Sequence, residues 1–298
     1  MASLKEVKIR IGSVKSTRQI TSAMKMVASA KLHKAQGRIG SMLPYQQRLN
    51  GILTRFLSTD VSFTSPYTEV REVRRVAVVA LSSNSSLCGA FNSNVGRMLE
   101  RTLADYAHLG KENILIYPIG RKVEDAVRRL GYKERAQGSY QKLADQPAYA
   151  GARQLAEQLM EQFIKGELDR VELIYHHFKS TGVQILTRED FLPINLEKVA
   201  DGGAAQAAQP VGRYNSDYIV EPSVEAVLTE LLPKVLNQKI YTVLLDSNAS
   251  EHAARMLAMQ TATDNADDLI QELTKQYNKG RQQAITNELL DIIGGSFK

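Results

Sequence analysis

Tryptophan is absent from this sequence, cysteine occurs once and phenylalanine seven times. The shortage of aromatics predicts helices packed on aliphatic side chains rather than on flat rings. A single thiol, Cys88, excludes an internal disulfide and a multi-cysteine metal site, and it fits a reducing compartment. No apolar run approaches the ~20 residues of a membrane span. The opening has neither a secretory apolar core nor the Arg- and Ser-rich stretch of a transit peptide, so the chain is expected to stay where it is made. No GxGxxG follows the first apolar run and no GxxxxGK[ST] occurs, so the sequence supplies no phosphate cradle.

Acid is scarcest at the start. Residues 1–38 carry nine Lys or Arg (Lys5, Lys8, Arg10, Lys15, Arg18, Lys25, Lys31, Lys34 and Arg38) against Glu6 alone. That balance of +8 exceeds the +6 of the whole chain. A surface helix normally mixes both signs, so this one predicts an acidic partner: nucleic-acid phosphates, or an acidic protein surface.

With 298 residues, 43% of them apolar, the chain has room for one sizeable domain with extensions or for two small domains. Leu4, Val7, Ile11 and Val14 step by three and four, and the rhythm resumes at Ile20, Met24, Val27, Ala35, Ile39 and Met42. This predicts a coiled-coil helix over 1–60, continuing past Pro44 with a kink or a locally unwound turn. Over 70–195, RRVAVVALSS, NILIYPIG, VELIYHHF and VQILTREDF read as strands. NSNVGRMLERTLADYA, RKVEDAVRRLG and ARQLAEQLMEQFIKG between them read as helices. Strands separated by helices favour parallel pairing in an open α/β sheet, Rossmann-like in topology only.

Residues 196–220 are rich in Ala, Gly and Gln and read as a linker. Over 221–298, Pro222 and Ser223 can start and cap a helix of roughly seventy residues, about 105 Å long, that Gly294 and Gly295 end. Its expected seam is Val224, Val227, Leu231, Val235, Leu257, Leu269, Leu273, Ile285, Leu289 and Ile292. The fold class is therefore α/β, with a long antiparallel coiled coil of the two terminal helices beside a Rossmann-like open-sheet domain.

Catalytic chemistry is hard to assemble. His176 and His177 are neighbours on one strand and point to opposite faces, so they cannot share a metal. Cys88 has no Lys, Arg or His within three residues to lower its pKa and reads as a small buried residue. Asp264, Asp267 and Asp268 lie on the long helix without a calcium-binding loop and read as a solvated face. No catalytic, cofactor-binding or metal site is expected.

Two stretches carry a resemblance. IGSVKSTRQITSAMKMVASAKLHKAQ near the start and ASEHAARMLAMQTATDNADDLIQELTKQYNKGRQQAITNELLDIIGG near the end closely resemble the terminal signatures of the gamma subunit of the F-type ATP synthase. SLCGAFNSN and SDYIVEPS extend the likeness over essentially the full chain. The resemblance implies a non-catalytic central rotor stalk with no cofactor of its own. Its partners would be a hexamer of alpha and beta subunits, the epsilon subunit and the membrane c-ring, with no nucleic acid. It would lie peripherally on the cytoplasmic side of a bacterial inner membrane. By motif position Met24, Lys25 and Lys31 would face the beta subunit, and Arg255 and Gln282 would together hold a beta catch loop. Two departures stand out. Asn84-Ser85-Ser86 replaces the family's Asp-Arg-Gly, and Gly280 replaces an alanine. The paired thiols of photosynthetic relatives are missing, so no thiol regulation is expected.

Overall fold

A computed structural model describes residues 3–57, 65–132, 140–194, 220–221 and 223–296. The expected linker therefore falls almost wholly outside the described residues. In chain order the main elements are α1 (Leu4–Leu57), β1 (Val76–Leu81), α2 (Phe91–Asp105), β2 (Ile114–Ile119) and α3 (Arg121–Arg129). Then follow α4 (Gln141–Asp145), α5 (Tyr149–Ile164), β3 (Arg170–Ser180), β4 (Val183–Leu192) and α6 (Val224–Ser296). The chain divides into two compact units, Met1–Ala30 with Arg255–Lys298, and Lys31–Ala254.

The first unit pairs the start of α1 with the end of α6. Ser3 and Glu6 open α1 as a reciprocal cap: the Ser3 N–H donates to Glu6 at 2.9 Å and the Glu6 N–H donates to the Ser3 hydroxyl at 3.2 Å. The helices run antiparallel, since Leu4 lies against Gly280, Arg18 pairs with Asp267, and Thr21 shares a hydrogen bond of 2.8 Å with Thr263. On α6, Met259, Ala266 and Leu273 are buried one heptad apart, while Thr263, Ile270, Tyr277 and Ala284 form a half-buried second row.

On α1 the seam keeps one phase. From Leu4, Val7, Ile11 and Val14 it steps on to Arg18, Thr21, Lys25 and Ala28. The expected seam residues Ile20 and Val27 are 60% and 56% exposed instead. Apolarity misled the reading there, because the in-phase positions hold polar or small residues.

Gly280 tests the seam. A Cβ there would meet the Leu4 Cδ2 at 3.1 Å, the far end of a flexible side chain. Gly280→Ala is expected to stabilise the chain by about 0.5–1 kcal/mol through helix propensity, read as a raised melting temperature. A lowered one would mean that Leu4 cannot move.

The second unit is a sheet of order β2-β1-β3-β4 with helices on both faces. β1 pairs in parallel with β2 and β3, while β4 pairs antiparallel with β3. The sheet is thus mixed, because only Thr181 and Gly182 separate β3 from β4, too short a link for a crossover. Alternating side chains feed two cores. Val76, Val78, Ala80, Ile114 and Ile116 pack with α2 and α3. Ala77, Val79, Leu81, Tyr117 and Leu173 pack with α5 and with Leu236, Ile240, Val243 and Leu244 of α6. Further along, Leu53 is buried with Leu228 and Leu232, and the expected seam residues Val227, Leu231 and Val235 only flank that cluster.

α1 continues through Pro44, and α6 runs 73 residues, about 110 Å. Ser223 caps α6 as expected, its hydroxyl accepting from the Ala226 N–H at 3.2 Å. Gly294 and Gly295 do not end the helix, which extends to Ser296.

Candidate partner-binding surface

The one acid of the first 38 residues, Glu6, is consumed by the helix cap. Of the nine cations, Arg18 alone forms an ion pair among the described residues, with Asp267. Lys25 and Arg38 are half-buried, and Lys5, Lys8, Arg10, Lys15, Lys31 and Lys34 are exposed. Individually such exposed charges contribute little to stability, but together they raise a positive field along one helix.

The five candidate contact residues are placed differently from one another. Met24 and Lys25 are half-buried beside the seam, and Lys31 is exposed. Gln282 is exposed, whereas Arg255 is 8% exposed and already engaged within the chain. Both lie on one unbroken helix, 27 residues and hence about 40 Å apart. One loop cannot hold both, so the joint catch expected of Arg255 and Gln282 is corrected. The cation beside Gln282 is Arg281, which is exposed.

Sequence reasoning also missed a surface. Ile285, Leu289 and Ile292, expected in the seam, are 47%, 55% and 67% exposed. Leu290 and Ile293 are exposed beside them. α1 begins at Leu4 opposite Gly280, so among the described residues the last turns of α6 have no α1 residue beside them. These apolar residues form one exposed face opposite Asn287, Glu288 and Asp291, and such a face marks a surface for another protein.

In open α/β sheets, ligands sit at the carboxyl ends of the strands. Here α6 occupies that place. Leu244, Ser247, Asn248 and Glu251 close over Leu81, Ser82 and Ile119, leaving a void of about 10 Å³, no more than one water. The Asn248 amide donates to the Ala144 carbonyl at 2.8 Å, and the Ser250 hydroxyl donates to the His176 carbonyl at 3.1 Å. At Gly120 (φ 103°) an added Cβ would fall 2.3 Å from the Ser82 carbonyl oxygen, so only glycine lets α3 approach β1 this closely.

Asn84, one of the departures, ties this end together. Its carbonyl accepts from the Arg121 N–H at 2.9 Å and its amide donates to the Gln141 carbonyl at 2.8 Å. An aspartate could make only the first of these bonds.

Cys88 is buried, and the Asn92 amide donates to its sulfur at 3.1 Å. Among the described residues no group of three His, Cys, Asp or Glu could hold a metal ion, and Asp267 is spent on Arg18. The two histidines do face apart. His177 pairs with Asp246 at 2.7 Å, and burial holds the Asp246 carboxyl above its usual range. His176 is 2% exposed and stacks on Phe91 with ring centroids 4.4 Å apart.

Burial pushes the His176 pKa down to about 4. Its folded pKa lies below the unfolded value, so the stability it contributes is complete above pH 6.5 and is lost as pH falls toward 4. The loss is expected to reach about 3 kcal/mol relative to a His176→Leu chain, measured by urea unfolding across that window. Parallel curves for the two chains would contradict it.

A family model described as ATP synthase matches residues 3–297. The ATP synthase gamma chain of Bacteroides thetaiotaomicron is 63% identical over 300 residues, covering 100% of both chains. That of Bacteroides fragilis is 64% identical over 296 residues and covers 99% of each. That of Flavobacterium johnsoniae is 43% identical over 297 residues, with 99% and 98% covered. Two solved structures share the fold. A chain of the Euglena gracilis mitochondrial ATP synthase, resolved with OSCP, F1 and c-ring, has a TM-score of 0.63 at 20% identity and covers 99% of this chain and 93% of that one. A chain of the Tetrahymena thermophila mitochondrial ATP synthase central stalk and c-ring has a TM-score of 0.52 at 23% identity, with 82% and 99% covered.

Proposed function

Because this chain belongs to the ATP synthase gamma family, we propose that it is the central-stalk rotor that couples rotation of an ion-driven c-ring to the beta-subunit sites. It has no active site of its own. One observation carries the reading: a cation-bearing helix without free acid lies in the same unit as an apolar tip that its own chain leaves bare. An enclosing ring of subunits with an acidic rim and an apolar interior satisfies both.

The division of labour follows the chain: helical segments 1–60 and 221–298 as shaft, 70–195 as Rossmann-like foot, 196–220 as linker. Met24, Lys25 and Lys31 are assigned to the beta-facing neck, where an unbranched methionine suits a sliding contact. Gln282 with Arg281 is assigned to the beta catch. Arg255, buried, is assigned to holding the shaft, so that its effect on beta is indirect. The epsilon subunit and the c-ring are the partners of the foot. Among the described residues no helix is long and apolar enough to cross a membrane. The reading places the chain in the peripheral F1 sector, on the cytoplasmic side of a bacterial inner membrane.

A nucleic-acid reading explains the cations only. No Phe, Tyr or Trp occurs before Tyr45, so stacking platforms are missing from the basic stretch.

The test is ATP hydrolysis by alpha and beta subunits of a close relative, with and without this chain. Turnover is expected only with the chain present. Arg281→Ala/Gln282→Ala is expected to assemble yet turn over about tenfold more slowly, the loss of one or two oriented hydrogen bonds. Normal turnover by that variant would remove the catch assignment, and failure to co-assemble would remove the rotor reading.

A further inference from the structure

A helix buried on every side is ordinarily apolar on every side. Residues 243–253 of α6 are buried without exception, yet Asp246, Ser247, Asn248, Ser250, Glu251 and His252 stand among them. Burying so many polar side chains costs stability unless they are bonded, and apolar residues of like size would pack the same space. Apolar contacts, however, have no direction, so they leave a helix free to twist about its axis.

The bonds of this stretch do have direction, and two of them end on main chain. The Ser250 hydroxyl donates to the His176 carbonyl of β3 at 3.1 Å. The β1–β3 ladder stops at Ala80–Ile174, short of His176, and the hydroxyl caps β3 beyond it. The Asn248 amide donates at 2.8 Å to the Ala144 carbonyl in the last turn of α4, where a carbonyl has no donor within its own helix. Two side-chain pairs join them. Asp246 holds His177 of β3 at 2.7 Å, and Lys239, two turns earlier, holds Glu189 of β4 at 2.8 Å. All of these residues lie in the second unit.

Their placement around the axis is two-sided. At 100° per residue, Lys239, Asp246 and Ser250 fall within about 40° of one another, and Asn248 falls about 160–180° away from them. Between the two flanks runs the stripe of Leu236, Ile240, Val243 and Leu244 that packs on the sheet core. Twisting α6 in its seat, in either sense, lifts one flank away from its partners and stretches the bonds on that flank. Hydrogen bonds weaken steeply under such distortion.

We propose that Asn248 and Ser250, with the Asp246–His177 and Lys239–Glu189 pairs, are positioning residues that key α6 to the sheet domain, so that torque on the foot turns the shaft instead of twisting the helix in its seat. The proposal deepens the rotor reading and rests on it, since only a rotor carries torque through this joint.

The test uses this chain assembled with alpha and beta subunits of a close relative, a bead on the foot, and the angular spread of the bead during pauses between steps. Asn248→Leu/Ser250→Ala nearly keeps the packed volume and deletes both main-chain bonds. With two of four ties of like strength gone, the joint softens and the angular variance is expected to rise by up to about twofold. His177→Ala removes one tie at a half-exposed position, which spares the fold, and is expected to widen the spread in the same direction by up to about a third. Val127→Ala, in the core on the other face of the sheet, is expected to lower the melting temperature without widening the spread. A spread as narrow as wild type in both tie variants, in complexes that rotate, overturns the proposal and leaves the rotor reading intact. Equal widening in Val127→Ala overturns it too, because lost stability alone would then account for the effect. A wild-type bead that never turns in a complex that hydrolyses ATP removes the rotor reading and this role with it.

Discussion

Replacing Ile285, Leu289 and Ile292 together with lysine is expected to leave the thermal unfolding of the isolated chain unchanged and to weaken its assembly with alpha and beta subunits about a hundredfold. The first half follows from exposure. These side chains are 47%, 55% and 67% exposed, so little packing inside the chain is lost. The second half follows from burial in the partner. Covering the remaining apolar surface of three such residues is worth about 1 kcal/mol each, or about 3 kcal/mol together, and burying three ammonium groups adds to the penalty. Melting curves of the free chain and titration of ATP hydrolysis against chain concentration measure the two halves separately. A large drop in melting temperature would mean that the tip is packed within the chain. Unchanged assembly would mean that the tip is not enclosed.

The second large effect concerns stability. Glu172 is 2% exposed between β1 and β4, and its carboxylate accepts from the Tyr106 hydroxyl at 2.5 Å and from the Arg188 Nε at 2.7 Å. Burial, followed by the bond to Glu172, pushes the Tyr106 pKa up to about 12, so the phenol remains a donor at neutral pH. Glu172→Ala takes the buried partner from a buried hydroxyl and from the Arg188 guanidinium, which keeps only the more exposed Asp105, and is expected to cost about 3 kcal/mol. At roughly 2–4 °C per kcal/mol for a unit of this size, the melting temperature should fall by about 10 °C. Glu172→Leu combined with Arg188→Met removes both charges and is expected to recover most of the loss. A double variant as unstable as Glu172→Ala would mean that the site is held by shape rather than by charge pairing.

How much was legible depended on whether a pattern was local. The four strands and the three longer helices of the sheet domain follow from runs of apolar residues and their flanks, and all seven lie where the sequence places them. The antiparallel direction of β4 was available in the two-residue link Thr181-Gly182, but the alternation of strands and helices outweighed it. The coiled-coil seam was legible only where its residues are large and apolar. Arg18, Thr21, Lys25 and Ala28 keep the heptad phase without its usual chemistry, so the reading slid by one residue to Ile20 and Val27. For the candidate contacts, a linear motif gives no sense of distance along a helix. Only an unbroken α6 separates Arg255 from Gln282 and shows the first buried and the second exposed. The filled crevice at the end of β1 could not be read at all, because it is closed by residues 244–251, far along the chain from the strands they cover.

The central claim is that this chain turns inside a ring of partner subunits. The most direct measurement attaches a bead to the exposed foot of the chain, assembles it with surface-fixed alpha and beta subunits of a close relative, and supplies ATP. Unidirectional, stepwise rotation that stops when ATP is withdrawn is the predicted result. A bead held fast in an assembly that still hydrolyses ATP would contradict it.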